Sequence, residues 1–344
     1  MLIKQIILFF LPFVIFTLIL KSIHKLSINA PRIIILIFIS VCISNFFTTF
    51  ISQSVGRVLY QEEFYLFRPH MALQLNSLWH ISLSQLIPNE VALWGGVLIG
   101  FVGARFYPHA FTRIAESLDT YTTFLLKGMS FLIPPFIIGY IIKLEYEQTL
   151  YHILKDYTFI FAVICLTLLI YIFILYFLIN RFRITTTLRD LYNMLPAALC
   201  GFTTMSSAAS MPFTIQGVEN NTHNKELARS IVPATVNIHL IGDCLAIPIF
   251  AFAVLKSFGL PCPTFWTYLT FTLYFVLAKF SVAAIPGGGI IVMLPILEKY
   301  LDFQSDMLTL ITALYILFDP IITSVNILGN GAFAKIIDAV VDRR

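Results

Sequence analysis

Residues Phe265 to Lys299 read FWTYLTFTLYFVLAKFSVAAIPGGGIIVMLPILEK, with Ala284-Ile285-Pro286-Gly287-Gly288-Gly289-Ile290 at the centre. The flanks are apolar enough to cross a bilayer, which takes about 20 residues of helix. One proline and three consecutive glycines break such a helix at its middle. Irregular backbone finds no hydrogen-bond partners in lipid, so it persists at membrane depth only inside protein or along a wet cavity. The stretch therefore predicts two half-helices joined by a tip. Re-entrant hairpins of this kind mark the binding sites of secondary transporters. A single kinked span is the alternative.

The rest of the chain agrees with a membrane setting. Of 344 residues, 58% are hydrophobic and 12% charged, about half the charged share of a soluble domain. Mean hydropathy is +0.87. No cleavable signal peptide is evident in Met1–Leu20. The net charge of +4 is spread over loops and leaves no nucleic-acid footprint. Cys42, Cys165, Cys200, Cys244 and Cys262 have no paired spacing, so they read as small apolar residues rather than a disulfide framework or a metal site.

Apolar spans fall at about 5–20, 33–53, 89–106, 121–143, 157–180, 231–257 and 306–337. Lys21, Lys25, Arg32, Arg105, Arg113, Arg181, Arg183, Arg189, Lys225, Arg229, Lys335, Arg343 and Arg344 fall in alternate loops. By the positive-inside rule those loops and the C-terminus are cytoplasmic, with about seven full spans.

A second broken segment covers 192–217 and contains Thr203-Thr204-Met205-Ser206-Ser207-Ala208-Ala209-Ser210-Met211-Pro212. A tight helix contact through small residues is one reading of it. The order of segments gives another: hairpin, span 231–257, hairpin, span 306–337, entering from opposite sides. Thr235-Val236-Asn237-Ile238 is echoed by Ser324-Val325-Asn326-Ile327. An inverted repeat with two broken elements is the plan of a transporter core.

Two spans carry the polar chemistry. Asp319, Thr323, Asn326 and Asn330 are spaced i, i+4, i+7, i+11 and form one stripe on an apolar helix. A carboxylate there is costly without a partner or a cavity, although a stripe of interhelical hydrogen bonds would look the same. In the other span, His239 and Asp243 are i, i+4, so a regular helix would let the carboxylate hold the imidazole. Histidine is the side chain that changes charge nearest neutral pH. A neutral buried histidine is the alternative.

From about Thr185 to Lys335 the chain resembles the dicarboxylate/amino acid:cation symporter family. Ser206-Ser207-Ala208-Ala209-Ser210-Met211-Pro212 matches its serine-rich first hairpin, and Ala284-Ile285-Pro286-Gly287 matches the Gly-Val-Pro-Gly of its second. Asp319-Pro320-Ile321-Ile322-Thr323-Ser324-Val325-Asn326-Ile327-Leu328-Gly329-Asn330 matches its last span, Asp-x-x-Arg-Thr-x-x-Asn-Val-x-Gly-Asp. Residues 1–54 look like the family's second and third spans, which implies an abbreviated scaffold or an incomplete start.

The resemblance implies an all-α integral membrane protein of the elevator type, homotrimeric, in a bacterial cytoplasmic membrane. Residues 1–182 would be mainly scaffold and trimerisation spans, with 33–53 and 157–180 in the moving core. Residues 183–344 would form the transport core. Ser206, Ser207, Ile285, Gly289, Asp319, Thr323 and Asn326 would bind substrate, Asp319 taking its α-amino group. Thr235, Asn237, His239, Asp243 and Asn330 would serve cation or proton coupling.

The departures narrow the substrate. Ile322 replaces the arginine that pairs with a second carboxylate in the family, so a dicarboxylate would bring an unpaired buried charge. His239 and Asn330 replace two carboxylates of its cation sites. The expected function is symport of a small neutral solute, a neutral amino acid, with protons favoured over sodium. Sodium-coupled symport of an amino acid or carboxylate is the alternative. An intramembrane serine hydrolase using Ser206 or Ser207, His239 and Asp243, and an uncoupled receptor or channel, are the rivals from other classes. No organic cofactor and no catalytic or metal residues are expected.

Overall fold

The computed structural model describes residues 31–61, 87–146, 150–282 and 287–341, together with 6, 9–10, 12–17 and 20. Among the described residues all regular structure is helical. Helix α1 is Pro31–Gln61, α2 Asn89–Phe106, α3 Pro108–Tyr146 and α4 Leu150–Ile179. Then come α5 Ile184–Thr204, α6 Met211–Asn221, α7 Lys225–Thr235 and α8 Ile241–Ser257. Helix α9 is Phe265–Ala278, followed by a 3-10 turn at Lys279–Ser281, α10 Gly288–Leu301 and α11 Ser305–Val341.

Helices α8 and α11 form the centre. Every residue of α8 is buried except Lys256, because it is flanked by α1, α4 and α11. A helix apolar all round is stable only in such a position. Gly242 permits the α8–α11 crossing: a Cβ there would lie 2.5 Å from the Ile322 carbonyl oxygen and 3.0 Å from Asn326 Oδ1. Helices α5 and α6 pack as one pair against α11, and α9 and α10 as a second pair against α1 and α11. Helices α2 and α3 lie at the periphery.

Among the described residues, three helical stretches are long and apolar enough to cross a membrane: Leu36–Gln61, Tyr157–Ile179 and Ser305–Val340. Helices α9 and α10 have 14 residues each, short of the roughly 20 that a full crossing needs.

The span expected at 231–257 is not one helix. Helix α7 ends at Thr235 and α8 begins at Ile241, leaving Val236–Leu240 without regular structure. The break survives because another helix supplies its partners. Asn45 of α1 donates through Nδ2 to the Ile238 carbonyl (2.8 Å) and accepts at Oδ1 from the Leu240 N–H (3.3 Å). Replacing Asn45 by leucine strands both groups in a buried setting, at about 2–4 kcal/mol. The melting temperature of Asn45→Leu in detergent should fall by about 5 °C. An unchanged value would mean that the broken segment does not depend on this strap.

Candidate functional site

The four stripe residues of α11 are all buried and face the place where α8 and the second helix pair meet. Each caps or braces a neighbour. Leu240, the residue before α8, offers no side-chain cap. Asn326 Oδ1 supplies one, accepting from Gly242 N–H (2.8 Å) and Asp243 N–H (3.4 Å). Asp319 does the same for α10: Oδ2 accepts from Gly287 N–H (2.8 Å) while Oδ1 accepts from Thr323 Oγ1 (3.0 Å). Both helix starts thus direct their positive ends at α11, a favourable setting for an anionic side chain. Asn330 Nδ2 donates to the Asn326 carbonyl (3.0 Å) and to the His239 carbonyl (3.4 Å).

Asp243 and His239 do not pair, because the helix has not started at His239. His239 shares a 2.8 Å hydrogen bond between Nε2 and Ser44 Oγ of α1, and its ring packs 4.5 Å from that of Phe333. Nδ1 has no hydrogen-bond partner among the described residues. Asp243 instead accepts from Tyr315 Oη at Oδ1 (2.6 Å) and lies 3.4 Å from Lys279 Nζ at Oδ2. The expected carboxylate–imidazole pair is replaced by a buried carboxylate–ammonium pair.

The two legs of the second helix pair close on Asp243 from either side. Lys279 reaches it from the 3-10 turn after α9, and Gly289 in the first turn of α10 touches it. A Cβ at Gly289 would overlap the Tyr315 hydroxyl and lie 2.9 Å from Asp243 Oδ1. Asp319, Thr323, Asn326, Asn330, His239, Asp243 and Gly289 therefore belong to one polar seam.

The other expected residues lie apart from it. Thr235 is buried but donates only within its own helix, to the Ile231 carbonyl (3.0 Å). Asn237 is exposed. Ser207 is buried, and Ser206 Oγ accepts from Ala209 N–H (3.3 Å) inside its own turn. That turn follows Gly201, whose missing side chain leaves room for Thr323 and Ile327, so the first helix pair also abuts α11. Ile285 lies outside the described residues. The serine–histidine–aspartate set of a hydrolase is not assembled, since His239 and Asp243 are engaged by Ser44, Lys279 and Tyr315.

Lys279, Tyr315, Ser44 and Asn45 escaped the sequence reading, although each left a signal. Lys279 is the one charge in FWTYLTFTLYFVLAKFSVAA, and a cation in such a run implies a buried partner. Tyr315 sits one turn ahead of Asp319 on the same stripe, and Ser44-Asn45 interrupts an apolar span.

The seam mixes oxygen donors with nitrogen groups. Sodium is a hard cation that takes oxygen ligands. Beside the oxygens of Asp319 and Asn326, the seam holds an imidazole at His239, an amide at Asn330 whose Oδ1 has no hydrogen-bond partner among the described residues, and an ammonium beside Asp243.

Comparison with known proteins gives this geometry a family. Residues 91–340 match the family model described as Sodium:dicarboxylate symporter family. The chain is 29% identical over 168 residues to excitatory amino acid transporter 1 of Rattus norvegicus, which is 48% of this chain and 30% of that protein. It is 28% identical over 166 residues to excitatory amino acid transporter 5 of Homo sapiens, covering 47% and 28%. An excitatory amino acid transporter of Caenorhabditis elegans is 29% identical over 135 residues, covering 39% and 26%. The match spans less than a third of the length of these relatives. With the model match covering most of the sequence, the chain belongs to the sodium:dicarboxylate symporter family.

Proposed function

We propose that the chain works as a secondary active symporter of a small neutral zwitterion, a neutral amino acid in the first place. The observation that carries this reading is the pair of contacts at Asp319: a buried carboxylate held by Thr323 and by the Gly287 N–H at the start of α10. A substrate ammonium would take the place of the Gly287 N–H, exchanging a neutral donor for a charged one. The substrate carboxylate would then be met by amide groups at the start of α10 and by the Ser206–Ser207 turn.

Ile322 supports the neutral substrate. It is wholly buried on α11, where the family resemblance calls for arginine, and puts an alkyl group where a second carboxylate would need a cation. The coupling cation on this reading is a proton rather than sodium, on the strength of the donor set at His239, Asn330 and Lys279. His239, whose Nδ1 has no hydrogen-bond partner among the described residues, is the group proposed to carry it, with Asp243 in the same seam. The two helix pairs act as re-entrant hairpins of an elevator-type core. The protein is a multi-pass homotrimer of a bacterial cytoplasmic membrane, with its C-terminus inside.

Uptake into liposomes tests both halves. Neutral amino acids should displace one another while aspartate and glutamate have no effect, and an imposed pH gradient should drive uptake without sodium. Inhibition by aspartate at micromolar concentration would overturn the substrate class. An absolute need for sodium, with indifference to the pH gradient, would overturn the coupling.

A further inference from the structure

Lys279 is the least expected charge in the molecule. Its side chain is wholly buried, as is the Asp243 carboxylate 3.4 Å away. The Phe275 ring centroid lies 4.5 Å from Nζ, so an aromatic face covers the ammonium on another side. Nζ has no hydrogen-bond partner among the described residues, so the carboxylate and the ring are its described compensation. Burying two charges in apolar surroundings is unfavourable unless each offsets the other.

The location gives the pair a meaning beyond packing. Asp243 lies in the first turn of α8, directly after the broken segment Val236–Leu240. Tyr315 of α11 donates to it, and Gly289 of α10 touches it. The second helix pair therefore closes on an acid that needs a positive charge. That charge comes from the same helix pair, through Lys279. We propose that the Lys279 ammonium is a tethered counter-ion of Asp243, which makes closure of the second helix pair independent of any alkali cation.

Two physical points favour this over an incidental ion pair. A free cation approaching Asp243 would be repelled by an ammonium already 3.4 Å from the carboxylate. A tethered cation is also supplied by the helix pair itself, since Lys279 follows α9 directly, so the contact of this pair with Asp243 brings its own counter-charge. The proposal rests on the transporter reading only for the meaning of closure; the role of Lys279 as cation stands on the geometry.

The test uses melting of the purified full-length protein in detergent, which does not require transport. Wild type should melt at the same temperature in sodium chloride and in choline chloride at equal ionic strength. Lys279→Ala leaves Asp243 unpaired beside a space the size of a small ammonium. It should melt lower by about 5 °C in choline, and sodium chloride or ethylammonium chloride should restore most of the loss. A purely structural lysine would give a loss that no cation repairs. Should Lys279→Ala fail to fold, the neutral pair Lys279→Met/Asp243→Asn replaces it and should melt alike in all three salts. Saturable stabilisation of wild type by sodium, a Lys279→Ala defect blind to sodium and ethylammonium, or a neutral pair that still responds to sodium overturns the proposal. Correct melting behaviour with no uptake in liposomes would leave the tethered cation standing and sink the transporter reading instead.

Discussion

Asp319→Asn should weaken substrate binding by about 30-fold or more while leaving the protein folded. Asparagine keeps the size of the side chain and one oxygen to accept from Gly287 N–H, while its amide N–H can donate to a reoriented Thr323 hydroxyl, so the start of α10 stays capped. What it removes is the charge that would pair with a substrate ammonium. Truncating one partner of a buried charge pair costs about 2–5 kcal/mol, a loss in affinity of about 30-fold or more. Titration calorimetry with the best neutral substrate from the uptake screen measures it directly. A folded Asp319→Asn protein with unchanged affinity would make the acid a helix cap alone, with no part in recognition.

Gly289→Ala should be as damaging, for steric reasons. The added Cβ overlaps the Tyr315 hydroxyl and comes within 3.0 Å of both Asp243 oxygens, so either α10 withdraws from α8 or the Tyr315–Asp243 hydrogen bond breaks. Overpacking combined with a disrupted buried polar contact predicts a loss of about 2–4 kcal/mol. Tyr315→Phe removes the overlapping hydroxyl, so the same Gly289→Ala change should cost distinctly less in that background. A glycine substitution whose cost is equal in both backgrounds would place the clash elsewhere. This pair of measurements also reports on Lys279, because withdrawal of α10 draws the hairpin off Asp243.

Both predictions depend on features that differ in how far the sequence disclosed them. Composition and the run of apolar segments determined a helical membrane protein, because 12% charge leaves too little polar surface for a soluble fold. The i, i+4, i+7, i+11 spacing placed Asp319, Thr323, Asn326 and Asn330 on one face, since helical periodicity alone puts residues so spaced together. The Pro-Gly-Gly-Gly centre placed a break between two short helices, because neither residue type continues a helix at low cost.

The tertiary structure decided the partners. Thr235-Val236-Asn237-Ile238 and Ser324-Val325-Asn326-Ile327 look alike in sequence, yet α7 ends at Thr235 and the second stretch is continuous helix. The difference lies in Asn45 of α1, which supplies the Ile238 carbonyl and the Leu240 N–H with partners from outside the segment. Once that helix is broken, i, i+4 spacing no longer brings Asp243 to His239. The carboxylate turns to Lys279 and Tyr315, remote in sequence and adjacent only in the fold. Spacing fixes neighbours along one continuous helix; a buried charge is offset by whatever the packing brings to it.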